Sequence, residues 1–494
     1  MLGKYITFPE LLLWFPVITG IVAFIIKDQK KVKAWALFTS LITLVISIAS
    51  LYFRDNVKYF EYNYVSYVWL PYIGSSFAVG LDGMGHLLTF LTAFSFPLIF
   101  AATYKTNYKN ANVFYGLMLL SQAGMMGVFV AIDVLLFYFF WELALIPVYF
   151  LCSRWGGERR IPATWKFFIY TFVGSLLMLT GIIYVYLQTV PTPNSDHSFS
   201  MASFYNSGLI HKDQNWLFWL FFIAFAVKMP VFPFHTWQPD TYEQAPAATT
   251  MVLSGIMVKM GVFAVLRWIL PIFPAAVFRF DNIVIALSIT GMLYASCIAM
   301  VQNDLKRLVA YSSIAHIGLM SAAIFSTNIT GVQGVMIQML NHGINIIGLW
   351  IVVDIIQEHT GIRKISELGG LALHTPLLAI FFVVIALANI ALPLTNAFVG
   401  EFAMFTGLFE HNPWYAAFAG LSVILAAVYT LNMIQKVFYG EDNILTKVVS
   451  QVTLMQKIVL SVIVIFIFVL GVYPAPVFRL THDSVVNILG LMTK

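Results

Sequence analysis

Apolar residues run along most of this chain in stretches of about twenty, separated by short polar punctuation. A helix needs about 20 consecutive apolar residues to cross the hydrocarbon core of a bilayer. Scanning for such stretches finds fourteen, at 9–26, 33–53, 85–104, 111–131, 133–153, 162–188, 215–236, 244–270, 282–301, 306–326, 330–356, 375–408, 414–438 and 456–474. The seventh, eighth and twelfth are the least regular, with prolines or polar residues inside them. Connectors such as Ile132–Asp133, and those around Asn303 and Thr327, are so tight that neighbouring helices run antiparallel. Residues 54–84 and 189–213 form longer loops. The first, with its β-branched and aromatic runs from Phe60 to Trp69 and from Phe77, predicts a short hairpin that caps helix ends. Residues 358–374 mix Ile and Leu with charges and predict a short interfacial amphipathic helix. The first apolar run ends in Lys27, Asp28, Gln29, Lys30 and Lys31 with no small-residue cleavage site, so it reads as a retained transmembrane helix.

Composition agrees with the pattern. Of 494 residues, 60% are apolar and only 10% charged, against about 45–50% and about 25% in a soluble domain. Water-soluble enzymes, disulfide-stapled secreted modules and nucleic-acid binders are excluded, since the polar surface is far too small and no basic face is concentrated. The two cysteines, Cys152 and Cys297, give neither a metal signature nor a disulfide framework. The basic residues sort by side. Lys27, Lys30, Lys31, Lys33, Lys105, Lys109, Arg154, Arg159, Arg160, Lys306, Arg307, Arg363, Lys364, Lys436, Lys447 and Lys457 make sixteen on one face. Lys4, Arg54, Lys58, Lys212, Arg267, Arg279, Arg479 and Lys494 make eight on the other. The positive-inside rule then places both termini outside, and the alternation requires an even number of spans.

A charge at the centre of a membrane helix costs about 2.5–3.5 kcal/mol on insertion scales, so each one is a functional candidate by default. Glu142, Lys228, Lys259 and Glu401 lie in such positions, and His316 and His342 sit in the tenth and eleventh segments. The plainer readings are a snorkelling side chain for the acids and lysines, and a neutral, hydrogen-bonded ring for the histidines. Pro230 and Pro233 interrupt the seventh segment, and Pro393 with Thr395 and Asn396 interrupts the twelfth. Proline removes a ladder hydrogen bond, and inside lipid the freed carbonyls must find protein or water. Two broken helices five segments apart, each near a buried charge, fit an inverted-repeat transporter core. The expected fold is therefore an all-α membrane protein of about fourteen transmembrane helices, with two inverted five-helix repeats and discontinuous helices 7 and 12. The divisions are an N-terminal three-helix part with its outer loop (1–110), repeats at 111–270 and 271–440, and a C-terminal helix and tail (441–494).

Several motifs carry a more specific likeness. FWEL from Phe140, KMPVFPFHTWQPD from Lys228, EQAP from Glu243, VKMG from Val258, DLKRLVAYSSIAH from Asp304 and NHG from Asn341 together resemble the antiporter-like subunits of respiratory complex I, NADH-quinone oxidoreductase. The likeness covers roughly residues 85–440. Those subunits are akin to ones in multisubunit sodium/proton antiporters and membrane-bound hydrogenases. Glu401 stands where most antiporter-like subunits carry lysine, and no residues remain for a long lateral helix; both features resemble the M-type (mitochondrial ND-four-like) branch.

The resemblance implies a proton-translocating membrane-arm subunit, coupled to quinone reduction elsewhere in its complex and sitting in the bacterial inner membrane with periplasmic termini. The alternative is a subunit of a multisubunit sodium/proton antiporter. The chain offers no Gly-x-Gly-x-x-Gly after a strand, no cysteine set for a cluster and no paired histidines for haems. It is thus expected to bind no cofactor or metal itself, with FMN, iron–sulfur clusters, NADH and quinone held by partner subunits. The partners implied are other membrane-arm subunits, including neighbouring antiporter-like ones, and the bilayer. The site residues implied are Glu142 paired with Lys228, then Lys259, His316, His342 and Glu401, as a lateral proton path. Burial favours the neutral form of each acid or base, and a nearby opposite charge favours the ionised form. Glu142 turning away from Lys228 would then release a proton towards Lys259, the histidines would relay it, and Glu401 would accept it.

Overall fold

The computed structural model describes residues 6–53, 63–191, 195–441 and 452–493. The helices are α1 (Phe8–Ile25), α2 (Gln29–Phe53), α3 (Gly83–Ala102), α4 (Ala111–Val130), α5 (Val134–Trp155) and α6 (Arg160–Leu187). Then come α7 (His211–Lys228), α8 (Trp237–Gln244), α9 (Ala247–Ile272), α10 (Pro274–Val301), α11 (Leu305–Phe325) and α12 (Ile329–Thr360). The last are α13 (Pro376–Asn389), α14 (Asn396–His411), α15 (Pro413–Phe438), α16 (Leu454–Val472) and α17 (Ala475–Met492). Among the described residues, twelve helices are long and apolar enough to cross a membrane: α1–α6, α9–α12, α15 and α16. The helix of the seventh apolar segment stops at Lys228, before Pro230 and Pro233, and α8 begins only past the segment's end; the twelfth is split into α13 and α14 around Pro393.

The breaks satisfy the backbone groups that they free. Val231 N–H bonds back to Ala226, which leaves the Val227 carbonyl without its helical donor, and the Trp237 indole donates to it at 2.9 Å. At the second break Ala391 and Leu394 adopt positive φ of 56° and 73°, conformations that cost non-glycine residues about 1–3 kcal/mol each. The Asn341 amide donates to the Asn396 carbonyl there at 2.6 Å. Irregular backbone at membrane depth is tolerated only where it is buried in protein in this way.

The core is one continuous apolar cluster, and α9, α11 and α12 run through its middle with almost every residue buried. α9 is not a plain helix. Leu253–Met257 and Val265–Ile269 are π turns on either side of Lys259. The expected hairpin forms as β1 (Tyr64–Leu70) antiparallel to β2 (Ser75–Gly80); residues 54–62 lie outside the described residues.

Two expectations need correction. Residues 358–374 are not an amphipathic helix: α12 runs to Thr360, and beyond it stand only a 3-10 turn at Ile365–Glu367 and one helical turn at Leu371–His374. Gly361, at positive φ, ends α12, and Gly370, also at positive φ, stands just before the single turn at Leu371–His374. And the fourteenth segment is not the last element, since α17 follows α16 after Pro474.

Connectors fall into two groups by contact. On one side Lys33 donates to Tyr104 O, Trp155 to Lys109 O, Gly157 to Gln244 O and Arg363 to Glu243. On the other, Asp133 meets Ser75 and Ser200, Asp82 meets Arg267 and Ser484, and Asn328 reaches Gly407. The first group holds the connectors rich in Lys and Arg. The two halves also share a device. Asp133 caps α5 through Leu135 and Leu136 N–H and bridges Ser200; Asp304 caps α11 through Lys306 and Arg307 N–H and bridges Lys364. The same cap and bridge recur on opposite sides.

Candidate functional site

Of the six singled-out residues, five are buried and Glu142 is half-buried. The structure links four of them. In α9 the π turn leaves the Ser254 carbonyl facing Lys259, whose Nζ donates to it at 2.6 Å. The same Nζ lies 2.8 Å from His342 Nδ1 on α12. The His342 and His316 rings are 5.5 Å apart by centroid, tilted by 50°. His316 Nδ1, on α11, stands 2.9 Å from Glu401 Oε1 on α14. Lys259, His342, His316 and Glu401 thus form one line across four helices, with the bonded neighbours His316 and Glu401 85 positions apart in sequence.

Neutral side chains hold that line in place. Gln338 donates to Glu401 Oε1 at 3.3 Å, and Asn389, the last residue of α13, lies 3.3 Å from His316 Nε2 and 3.1 Å from Ser312 Oγ. Tyr429 donates to the same Ser312 at 3.0 Å. Asn345 and Asn396 exchange amide hydrogen bonds at 3.0 and 3.1 Å, pinning the start of α14 to α12. A Cβ on Gly400 would collide with Gln338, so glycine is what lets α14 bring Glu401 this close. A cavity of about 20 Å³ beside Glu401 and His316, lined also by Ser422 and Tyr429, is large enough for one water. His342 Nε2 has no protein partner and is buried.

The other two residues behave differently. No ion pair closes between Glu142 and Lys228: Glu142 Oε1 and Lys228 Nζ are both buried without a hydrogen bond from the chain. The carboxylate still lies within electrostatic reach of the ammonium. Lys228 ends α7, where the helix dipole favours a cation, and its Nζ sits 5.2 Å from the Trp141 ring centre. The aromatic face takes the place that the acid was expected to fill. Lys228 and Lys259 share no contact, although α7 and α9 pack closely where Gly261 meets Met229.

On the Lys/Arg-rich side a second set of charges closes the bundle. Asp240 pairs with Lys166 at 2.7 Å and with Arg307 at 3.0 Å, and Glu243 pairs with Arg307 at 3.0 Å and Arg363 at 3.4 Å. Beside them is a cleft of about 370 Å³ lined by Glu243, Lys306, Asp354, Glu358 and Arg363. The charged members of the main line stood out in the sequence because each is costly in lipid. The amides of Gln338, Asn341, Asn345, Asn389 and Asn396 did not, although Asn341 and Asn345 one turn apart in an apolar helix were a usable signal.

A multi-pass helical membrane protein whose centre carries a contacting line of titratable side chains is the class that these observations define. Residues 131–427 match the family described as NADH:quinone oxidoreductase/Mrp antiporter, transmembrane part, and the chain belongs to it. It is 36% identical over 456 residues to NADH-quinone oxidoreductase subunit M of Rickettsia typhi, covering 92% of this chain and 91% of that one. It is 34% identical to F(420)H(2) dehydrogenase subunit M of Methanosarcina mazei, covering 98% of both. Its fold matches a chain of respiratory complex I from Thermus thermophilus with bound NADH at a TM-score of 0.90 and 28% identity, covering 98% of this chain and 99% of that one.

Proposed function

We propose that this chain is the M-type antiporter-like subunit of an NADH-quinone oxidoreductase, and that it moves protons across the membrane without redox chemistry of its own. The observation that carries the reading is the contact line Lys259–His342–His316–Glu401 through the bundle centre. Both imidazoles have two nitrogens, so each can take a proton on one side and give it up on the other. Glu401, beside the broken segment and its small cavity, is the terminal acceptor. Glu142 and Lys228 are the switch: approach of the carboxylate holds the proton on Lys228, and withdrawal lets burial expel it towards Lys259.

In this reading fourteen segments cross the membrane, the two repeats are 111–270 and 271–440, and the Lys/Arg-rich face with its cleft at Lys306 and Asp354 is cytoplasmic. Both termini are then periplasmic, in a bacterial inner membrane. FMN, iron–sulfur clusters, NADH and quinone belong to partner subunits, which include other antiporter-like subunits of the membrane arm.

The test is Glu401→Gln in the intact assembly, with proton pumping measured per electron pair. A large loss with normal assembly supports the path, and unchanged pumping removes Glu401 from it. The family also includes antiporter subunits, so a second reading is sodium/proton exchange. Copurification with flavin and iron–sulfur proteins favours the first reading; copurification with small antiporter subunits alone favours the second.

A further inference from the structure

On the face opposite the Lys/Arg-rich connectors, a chamber of about 370 Å³ lies between the hairpin, the ends of α3, α4 and α9, and α17. Its lining includes Asn63, Asp82, Phe129, Arg267 and Asn487. Asp82 and Arg267 pair there at 2.7 Å. Asn63 Oδ1 and Arg267 Nε are buried with no partner from the chain, and buried polar groups of this kind are satisfied by water. Asn487 is exposed at the mouth, and the Asp82 side chain keeps 36% of its exposure. Water from that face therefore reaches the Arg267 guanidinium.

Lys259 precedes Arg267 on the same helix by about 12 Å of axial rise. Every residue from Met260 to Leu266 is apolar and buried. Phe263 follows Lys259 by four positions within the regular stretch Val258–Ala264, so the two share a face. Helical side chains lean towards the N-terminus, and the Phe263 ring accordingly covers the turn that bears Lys259. The Lys259 amine reaches the same way, away from the chamber, to the Ser254 carbonyl. The Arg267 guanidinium lies 5.1 Å from the Phe263 ring centre, and Phe129 of α4 meets that ring edge-on at 5.4 Å and 87°. Phe129 also lines the chamber. One pair of rings thus stands between a wetted guanidinium and the buried lysine.

We propose that Phe263 and Phe129 are a hydrophobic seal that keeps the water of this chamber from Lys259, so that a proton on the lysine cannot escape to that face. An apolar constriction excludes water by dewetting and needs no charge to do so. Serine in place of either ring would supply both space and a hydroxyl, whereas leucine would keep the constriction dry. The exclusion of water follows from the packing alone. Its value as a block to proton escape rests on the activity proposed above.

The experiment uses the intact assembly in sealed membrane vesicles of each orientation. Lys259→Cys is probed with trimethylammonioethyl methanethiosulfonate, which does not cross lipid, and labelling of this chain is read by mass spectrometry. Asn487→Cys, at the chamber mouth, shows which orientation exposes that face. From that face Lys259→Cys should stay unlabelled; adding Phe263→Ser should raise its labelling at least about tenfold, and adding Phe263→Leu should not. With Lys259 in place, Phe263→Ser should also speed passive proton entry under a valinomycin-imposed potential. Labelling without that leak supports the seal and counts against Lys259 as a proton carrier. Labelling of Lys259→Cys from that face with both rings intact would overturn the seal, as would none in an assembled Phe263→Ser variant. Where Phe263→Ser does not assemble, Phe129→Ser opens the same seal from α4 and carries the same expectations.

Discussion

The two halves of the buried site solve the same problem in opposite ways. Around Lys259 and Glu401 each titratable group has at least one hydrogen-bonding neighbour, and the amides of α12, α13 and α14 fix their positions. Around Lys228 and Glu142 neither charge is bonded, and the lysine is met by a helix end and an aromatic face. Bonded links suit transfer, because a proton can step between atoms already 2.8–2.9 Å apart at Lys259–His342 and at His316–Glu401, with a ring contact joining the two links. An unbonded pair suits control, because its two states are held by charge and position alone and exchange at little cost in broken bonds.

Substitutions can break this contrast. Glu401→Gln should have the largest effect, reducing protons pumped per electron pair several-fold while assembly on a native gel stays normal; unchanged stoichiometry would refute its role. Glu142→Gln should also slow pumping strongly, yet leave stability almost unaffected, since no hydrogen bond to its carboxylate is lost. A marked fall in thermal stability of the assembly would show that the pair is structural. Lys259→Ala should do the reverse of that in stability terms, because it strands His342 Nδ1 and the Ser254 carbonyl, at about 1–3 kcal/mol for each buried group left unpaired. Trp141→Leu removes only the aromatic face from Lys228, worth about 0.5–2 kcal/mol, and should change the pumping rate by no more than about thirtyfold.

The smallest effect lies outside the membrane segments. Burial pushes the Asp133 carboxyl up to about 6, although Ser75, Ser76, Leu135 and Leu136 all donate to it. Its folded value thus lies above its unfolded value, so the associated stability is present below about pH 4 and is lost as pH rises through about 6. At about 1.4 kcal/mol per unit, hydrogen exchange at residues 131–136 should be faster at pH 7 than at pH 4 by more than the intrinsic rate change. Asp133→Asn should remove that extra dependence. The corresponding cap at Asp304 provides the control from the other half.

Twelve of the fourteen apolar stretches reappear as helices long enough to cross a membrane, legible because lipid demands long apolar runs, and both breaks were legible because proline cannot donate to a ladder. α17 was not, because Arg479, His482 and Asp483 dilute its apolar face below any spanning threshold. The helix expected at 358–374 failed for a local reason: Gly361 and Gly370 break a pattern whose hydrophobic spacing was otherwise adequate. In the site, the costly residues announced themselves one by one. Their pairing did not, since nothing in the spacing of positions 259, 316, 342 and 401 says which side chain meets which. The Glu142–Lys228 expectation erred because charge alone was weighed, and Trp141, beside the acid in sequence, was read only as part of a motif.

The π turns of α9 have one more consequence. Each adds a residue to a turn without lengthening the path to the next, so the helix carries a built-in angular offset between the stretch holding Thr249 and Thr250 and the stretch holding Lys259. Winding Leu253–Met257 as ordinary α-helix with no residue removed would swing everything beyond it by about 100°. The lysine would then face the apolar packing instead of His342, with every chemical group of the line still present. The register of this one helix is a phase setting: composition supplies the parts of the relay, and two widened turns decide whether they point at each other.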